Sequence, residues 1–499
     1  MNLLRNQPKK DGSTLGFMIG KPDAELENID KISIVNVFED YCNVFPAIKD
    51  DGYFIIAGRK GSGKSAIARY LKGSANQEND KFVSIIKTDD VKLERLIQAV
   101  PEADHSAIFE WLILTRLVKL IIDSNYTSYP RPIQALKKFY ERNTRLINPG
   151  DYNLEEIINN QEVIFEVLRQ EFGKIVGKKY KNTKLNKGIF YQFVPVLREV
   201  IQTVLKYEVF EKSVFYICFD DIDVKFKIQR DRGILADLIR TACKYNSEYL
   251  SPHQAKILLF VRDDLTRHLS GVDSDITKIL DSSQIALNWY QHYDYQRDEK
   301  SINLRKLINK RLTQNFQYFN RKFDLTDPWR TFVEHFEDYG NKSAFSYILD
   351  FTYHTPRDII NIFAQVGQKD YKYPLDKRII DTCINQYTDR KLNEIADELA
   401  VHFEPDYIKL ITGRLFRSIA SEIKQRKSIS YQRLMELFDE VGIKKDDFEL
   451  LVEYDYIIPM DEDNNIYCNY REQPAVNAID SYNFILHKSI YTYYNKLRV

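Results

Sequence analysis

The sequence predicts an α/β protein: a parallel sheet core covered by helices, then an all-helical region, then a small module of three helices and a hairpin. Three observations carry this. Between Gly52 and Leu287 four or five short β-rich runs, at 53–57, 82–86, 214–219, 257–261 and, as the optional fifth, 284–287, alternate with long helical stretches, the pattern of a sheet buried on both faces. From Ser301 onward the strands give way to helical periodicity, as in Leu304, Leu307, Ile308 and Leu312 on one face. Near the C-terminus, helical spacing over about 406–423, 430–441 and 446–455 is followed by YIIPMDEDNNIYCNY, two β-like runs joined through Asp463, Asn464 and Asn465.

The 499 residues exceed the usual single-domain length about threefold, so several cooperating units are expected. We place an ATPase-like core at 1–295 with a helical insertion at about 90–212, a helical lid at 296–395 and a winged-helix-like domain at 396–499. A generic helical tail with a hairpin is the competing reading of the last of these. No internal repeat or low-complexity tract is visible, and 44% hydrophobic with 29% charged residues is an ordinary globular composition.

The octet Gly58-Arg59-Lys60-Gly61-Ser62-Gly63-Lys64-Ser65, with Ala66 behind it, follows the first β-run and opens a helix near Lys64. This is the G-x-x-x-x-G-K-[ST] phosphate loop in the strand–loop–helix setting that the motif requires. Glycines let backbone N–H groups curl around phosphate oxygens, and the helix N-terminus adds its positive end. Lys64 is expected to reach the β- and γ-phosphates as a mobile cation, and the Ser65 hydroxyl to ligate Mg²⁺. The expected ligands are therefore ATP or ADP with Mg²⁺.

Such a metal needs an acidic anchor at the end of a neighbouring buried strand. The run from Val214 to Asp221 supplies it: Asp220 is expected to hold Mg²⁺ through water, and Asp221 to polarise the attacking water, with Asp223 as the alternative base. Arg262 follows ILLFV at a strand end, where a γ-phosphate sensor and an ion pair with Asp263 or Asp264 are equally good readings. His354-Thr355-Pro356-Arg357 opens a helix with Pro in its first turn, which aims Arg357 from the helical region toward the phosphates when the lid closes. His354 reads as a helix-start residue rather than a catalytic one.

Taken in order, IGKPDAELE at 19–27, GRKGSGKSAIARYL at 58–71, FDDID at 219–223, LLFVRDDL at 258–265 and TPRDIINI at 355–362 make the chain resemble the additional-strand (ASCE-type) class of P-loop ATPases. Within it the chain resembles the AAA+/STAND-like, origin-recognition-type group, and more narrowly a family of predicted bacterial ATPases found in anti-phage defence loci. The resemblance covers about residues 15–370. It implies Arg357 as a second sensor and Arg262 on the first-sensor strand, where such proteins usually carry a smaller polar residue. It also implies slow ATP hydrolysis that drives a switch, a homo-oligomer completed by a neighbour's arginine, for which Arg230, Arg232 and Arg311 are candidates, and a separate effector protein.

Lys and Arg number 72, as do Asp and Glu, which removes any global electrostatic case for nucleic acid or an anionic membrane. The run Lys174, Lys178, Lys179, Lys181, Lys184 and Lys187 around Tyr180 reads as a phosphate-binding patch or, more simply, as a solvated loop. A DNA-binding ATPase resembling initiators or clamp loaders, with Arg305, Lys306, Lys310 and Arg311 lining a groove, is the runner-up. Against it, Lys444 to Asp463 carries two lysines and eight carboxylates, a surface that repels duplex phosphates. Trp111, Trp289 and Trp329 receive no functional role. Five scattered cysteines without a metal-binding pair read as reduced thiols, and neither a signal sequence nor a membrane segment is expected, so a cytoplasmic location is.

Overall fold

The computed structural model describes residues 12–21, 33–50, 52–78, 80–87, 93, 97–98, 104–124, 131–148, 162–164, 166–173, 187–221, 228–251, 254–269, 273–291, 299–335, 342–471 and 481–497. The chain divides into two compact units, one of Cys42–Lys60 and Lys64–Leu287, the other of Met1–Tyr41, Gly61–Gly63 and Asn288–Val499.

The first unit is built on a parallel sheet of five strands: β1 (Ile55–Ala57), β2 (Lys81–Lys87), β5 (Val214–Asp220), β6 (Ala255–Val261) and β7 (Gln284–Ala286), in the order β2-β5-β6-β1-β7. Every residue of β1 and β6 is buried, as expected of central strands covered on both faces. Ile55 pairs with Leu259 and Ile217 with Ile257. The edge strands β2 and β7 carry Lys81, Lys87 and Gln284 and are only half-buried, which keeps their open edges polar. The acid-bearing strand is thus not the immediate neighbour of the loop strand that the sequence reading assumed, because β6 lies between them.

Between β2 and β5 runs the insertion. Helix His105–Asp123 is apolar nearly all round and packs against helices Arg131–Arg142, Phe190–Leu205 and Ile228–Lys244 and against β5; a helix hydrophobic on every face must be covered on every face. Trp111 Nε1 donates to Leu146 O at 2.9 Å, so its one polar atom is satisfied in the core. The insertion, expected to be mainly helical, also holds a small antiparallel pair, β3 (Glu162–Ile164) with β4 (Lys187–Ile189).

The second unit has two buried clusters. Phe17, Phe316, Phe332, Phe345 and Phe363 belong to the first, with Phe17 stacked on Phe319 at 5.5 Å. Residues 12–21 are part of it rather than of the sheet core, tied by Thr14 N to Tyr371 O and Gly16 N to Gly367 O. Arg305 and Arg311, expected to line a groove or reach a neighbour, are buried here: Arg305 pairs with Asp327 at 2.9 Å and Arg311 donates to Ile19 O. Helix Lys377–Leu399 gives Ile384 and Tyr387 to this cluster and Ile395 and Leu399 to the second.

The second cluster joins helices Phe416–Arg426, Tyr431–Val441 and Asp447–Glu453 to a three-stranded antiparallel sheet, β8 (Ile429–Ser430), β9 (Ile457–Met460) and β10 (Asn483–Leu486), in the order β8-β10-β9. Ser430 caps the second helix from its side chain. The expected hairpin within YIIPMDEDNNIYCNY shrinks to one bridge, Met460 to Ile466, and β9 pairs with β10 instead. Helix Asp447–Glu453 ends at Asp455, which turns into the left-handed region at φ +59°, and its carboxylate accepts from Asn469 N and Tyr470 N while the Asn469 amide donates to Val452 O and Glu453 O. That draws its segment off the sheet.

Candidate functional site

The phosphate loop leaves β1 and turns into helix Lys64–Ala75. Gly61 and Gly63 take φ values of +84° and +100°, conformations that exclude a side chain at little cost only for glycine. Lys64 Nζ donates to Gly58 O at 2.6 Å and Arg59 O at 3.1 Å, so the ammonium lies back along its own loop. The first-turn N–H groups at Lys64, Ser65 and Ala66 have no intrahelical acceptor by geometry.

Ser65 sits one residue into that helix, and its hydroxyl donates to Asp220 Oδ1 at 3.2 Å. Asp220 is the last residue of β5, 1% exposed, and its Oδ2 is buried without a hydrogen-bond partner. Burial, then the neighbouring Asp221 charge, pushes its carboxyl up to about 6, against the pull of the Ser65 hydroxyl and Lys87. A buried carboxylate with an idle oxygen beside a serine hydroxyl fits a hard divalent cation such as Mg²⁺. Among the described residues no three metal-ligating side chains cluster, so such an ion would draw its remaining ligands from phosphate and water.

Asp221 follows in the left-handed region at φ +54°, a conformation that aspartate adopts at some cost. Its carboxylate is 3.0 Å from Lys87 Nζ at the end of β2. Arg262 takes the ion-pair alternative: Nε and Nη2 meet both oxygens of Asp264, at 3.0 and 2.5 Å, with both side chains buried. This bidentate fork holds the guanidinium at the strand end. Asp223 and the Lys174–Lys187 run lie outside the described residues, apart from the backbone of Lys187, as does 22–27 of the IGKPDAELE stretch; the Arg230 side chain is likewise outside.

In the second unit the loop tip meets helix Pro356–Phe363. Arg357 N donates to Gly61 O at 3.3 Å, and a Cβ on Gly61 would fall 2.8 Å from Arg357 Cβ. Thr355 caps the helix by accepting from Asp358 N, with Pro356 at its first position. Trp289 Nε1 donates to Ser62 O at 2.7 Å, giving that tryptophan a role at the loop after all. Asp358 is buried 3.2 Å from Lys391 Nζ. Burial works to raise the Asp358 carboxyl, but Lys391 and the Tyr353 backbone N–H outweigh it and leave it below the usual range. His354, at φ +52°, is buried against Tyr470 with neither ring nitrogen hydrogen-bonded. Burial and then Arg471 lower it to about 3, so it is neutral at physiological pH.

The structure therefore groups Lys64, Ser65, Asp220 and Asp221 in one unit, and Gly61, Ser62 and Arg357 in the other. Sequence reasoning missed Lys87, Trp289 and Lys391. Lys87 had a signal, since it ends the β-run beside which the acid strand had to pair; Lys391 had none short of the fold.

Residues 302–396 match the family model described as the FunZ-associated C-terminal helical domain. That stretch spans most of the first cluster of the second unit, including TPRDIINI and Lys391. Over 353 residues, 69% of the chain, the protein is 22% identical to the "Putative transposon gamma-delta 80.3 kDa protein" of Escherichia coli (strain K12). The matched region is 46% of that relative's length, so the chain corresponds to about half of it. No helix among the described residues is long and apolar enough to cross a membrane.

Proposed function

We propose that this protein is an ATP-binding, slowly hydrolysing molecular switch that regulates or assembles a partner effector, in the setting of bacterial anti-phage defence. The observation that carries the reading is the Ser65–Asp220 contact of 3.2 Å, with the second carboxylate oxygen idle, directly behind a glycine-turned loop and its lysine. A single strand between the loop strand and the acid strand supports the additional-strand class of P-loop ATPases. The three helices and the β8-β10-β9 sheet support a winged-helix-like module, whose acidic helix and turn favour contact with protein over duplex DNA.

In this reading Lys64 exchanges its loop carbonyls for the β- and γ-phosphates, and the amides of the loop and of Ala66 hold the remaining oxygens. Ser65 and Asp220 would hold Mg²⁺, which supplies neutralisation of the charge that develops on the phosphates. Water attacks the γ-phosphorus, the bond from that phosphorus to the β–γ bridging oxygen breaks, and ADP leaves. The water's proton passes to Asp221, which Lys87 keeps oriented. Arg357, tied to the loop tip through its amide, reads the phosphate state.

Phosphate release and solution mass with and without Mg-ATP test this. Lys64→Ala should remove nucleotide binding and nucleotide-dependent assembly, and Asp221→Asn should slow turnover by about 10²-fold while leaving binding in place. Turnover or assembly indifferent to Lys64→Ala refutes the switch. The runner-up, a DNA-binding ATPase, gains from the printed name of the transposon relative and predicts duplex binding that falls steeply with salt.

A further inference from the structure

Asp358 is fully buried on helix Pro356–Phe363, one residue beyond Arg357. Its Oδ1 lies 3.2 Å from Lys391 on helix Lys377–Leu399, a lysine only 5% exposed. Glu394 Oε2 stands 3.4 Å from the same ammonium, and Glu394 Oε1 accepts from Asn361, one turn further along the Arg357 helix. A buried ion pair is a weak source of stability, since apolar side chains of the same volume hold a fold as well or better. What an apolar pair does not supply is an acceptor.

The second carboxylate oxygen is spent on the turn that leads into the helix. Asp358 Oδ2 accepts from Tyr353 N at 2.9 Å, and Asp358 N donates to Thr355 Oγ1 at 3.2 Å. Between them His354 stands in the left-handed region at φ +52°, its N–H donating to Thr352 Oγ1 at 3.2 Å. A non-glycine residue keeps such a φ only where its surroundings over-determine it. The Tyr353 ring is held too, stacked on His487 at 3.9 Å with Lys391 Nζ 4.6 Å from its centroid. The turn delivers Arg357, whose N–H meets Gly61 O and whose Cβ and Cδ lie 2.8 and 3.2 Å from where a Cβ on Gly61 would be. All of these residues belong to the second unit.

We propose that Asp358 is a positioning residue: by closing the turn at 353–357 it sets where Arg357 meets the phosphate loop, and Lys391 lets a buried carboxylate stay charged there. The role rests on the reading of Arg357 as the reporter of phosphate state. The test compares, by calorimetry on the full chain with Mg²⁺, affinity for AMP-PNP, the imido analogue of ATP, with affinity for ADP. Arg357→Gln should lower that ratio about tenfold or more, as loss of a charge-assisted contact does. Two double variants remove Asp358 and Lys391 together, so neither leaves the carboxylate buried without its ammonium. Lys391→Met with Asp358→Asn keeps an oxygen for Tyr353 N and should keep the wild-type ratio. Lys391→Met with Asp358→Leu removes that oxygen and should lower the ratio about threefold or more, with no further fall when Arg357→Gln is added. A merely structural role would shift the melting temperature, or both nucleotides alike, and leave the ratio unmoved. If the two double variants give the same ratio, or if the second lowers it further on top of Arg357→Gln, the proposal is overturned while the reading of Arg357 stands. If Arg357→Gln itself leaves the ratio unchanged, or neither nucleotide binds, that reading fails and the proposal falls with it.

Discussion

Replacing Asp220 by Asn should change how the stability of the sheet unit depends on pH, and the size of the change follows from the site. The carboxyl moves from 3.8 in the unfolded chain to about 6 in the fold, a cost of about 3 kcal/mol for carrying the charge. Because the folded value is the higher one, the folded state holds this proton more tightly. The group's contribution is complete below about pH 4 and is lost as pH rises through about 6. Asn carries no charge and keeps the shape. The stability of the variant minus that of the wild type should therefore climb by about 3 kcal/mol from pH 4 to pH 7 and level off above. Any fixed cost of the amide drops out of that difference. The assay is urea unfolding without divalent ions or nucleotide, followed by the fluorescence of Trp111, the one tryptophan of this unit, in a background with Trp289→Phe and Trp329→Phe. A difference that stays flat with pH, or that falls between pH 4 and 7, refutes the burial argument.

Lys391→Met should cost about 3–5 kcal/mol, since Asp358 would be left charged and buried, and Asp358→Asn added to it should recover much of the loss; denaturant midpoints of the three variants check this. Gly61→Ala should weaken ATP binding at least severalfold in a calorimetric titration, because φ of +84° and a Cβ 2.8 Å from Arg357 cannot both be kept. His354, lowered to about 3, should cost stability as pH falls below 6.5, where the unfolded chain takes up a proton that the fold refuses. His354→Asn, which tolerates the positive φ, should flatten that acid limb in circular-dichroism melts at pH 4 to 7.

Four strands of the main sheet were legible in the sequence, because short β-branched runs bounded by helices are a local signal; the fifth, Gln284–Ala286, was only the optional member of a count of four or five. Their order was not: placing β6 between β1 and β5 depends on pairings such as Ile55 with Leu259, far apart in the chain. The loop and the two acids announced themselves by type and spacing, and the Ser65–Asp220 contact is what those types need. Arg262 shows the limit, since its pairing with Asp264 and a sensor role look the same in one dimension. The C-terminal hairpin misled for a related reason. Tyr467 to Tyr470 has strand-like composition, but the backbone N–H groups of Asn469 and Tyr470 go to the Asp455 carboxylate at the end of helix Asp447–Glu453 and not to a strand.

Helix Lys377–Leu399 has 23 residues, a rod of about 34 Å. Its middle is clamped by Lys496 and Leu497, through Asn385 to Leu497 and Asp389 to Lys496. The C-terminal sheet module is therefore bolted to the aromatic cluster that holds Arg357, not hung from it by a tether. A tilt of one degree at the near end swings the far end by about 0.6 Å. In the proposed switch, movement crossing this half of the molecule would travel as leverage, so loosening the bolt, for instance by Lys496→Ala, should leave both buried clusters intact and uncouple one from the other.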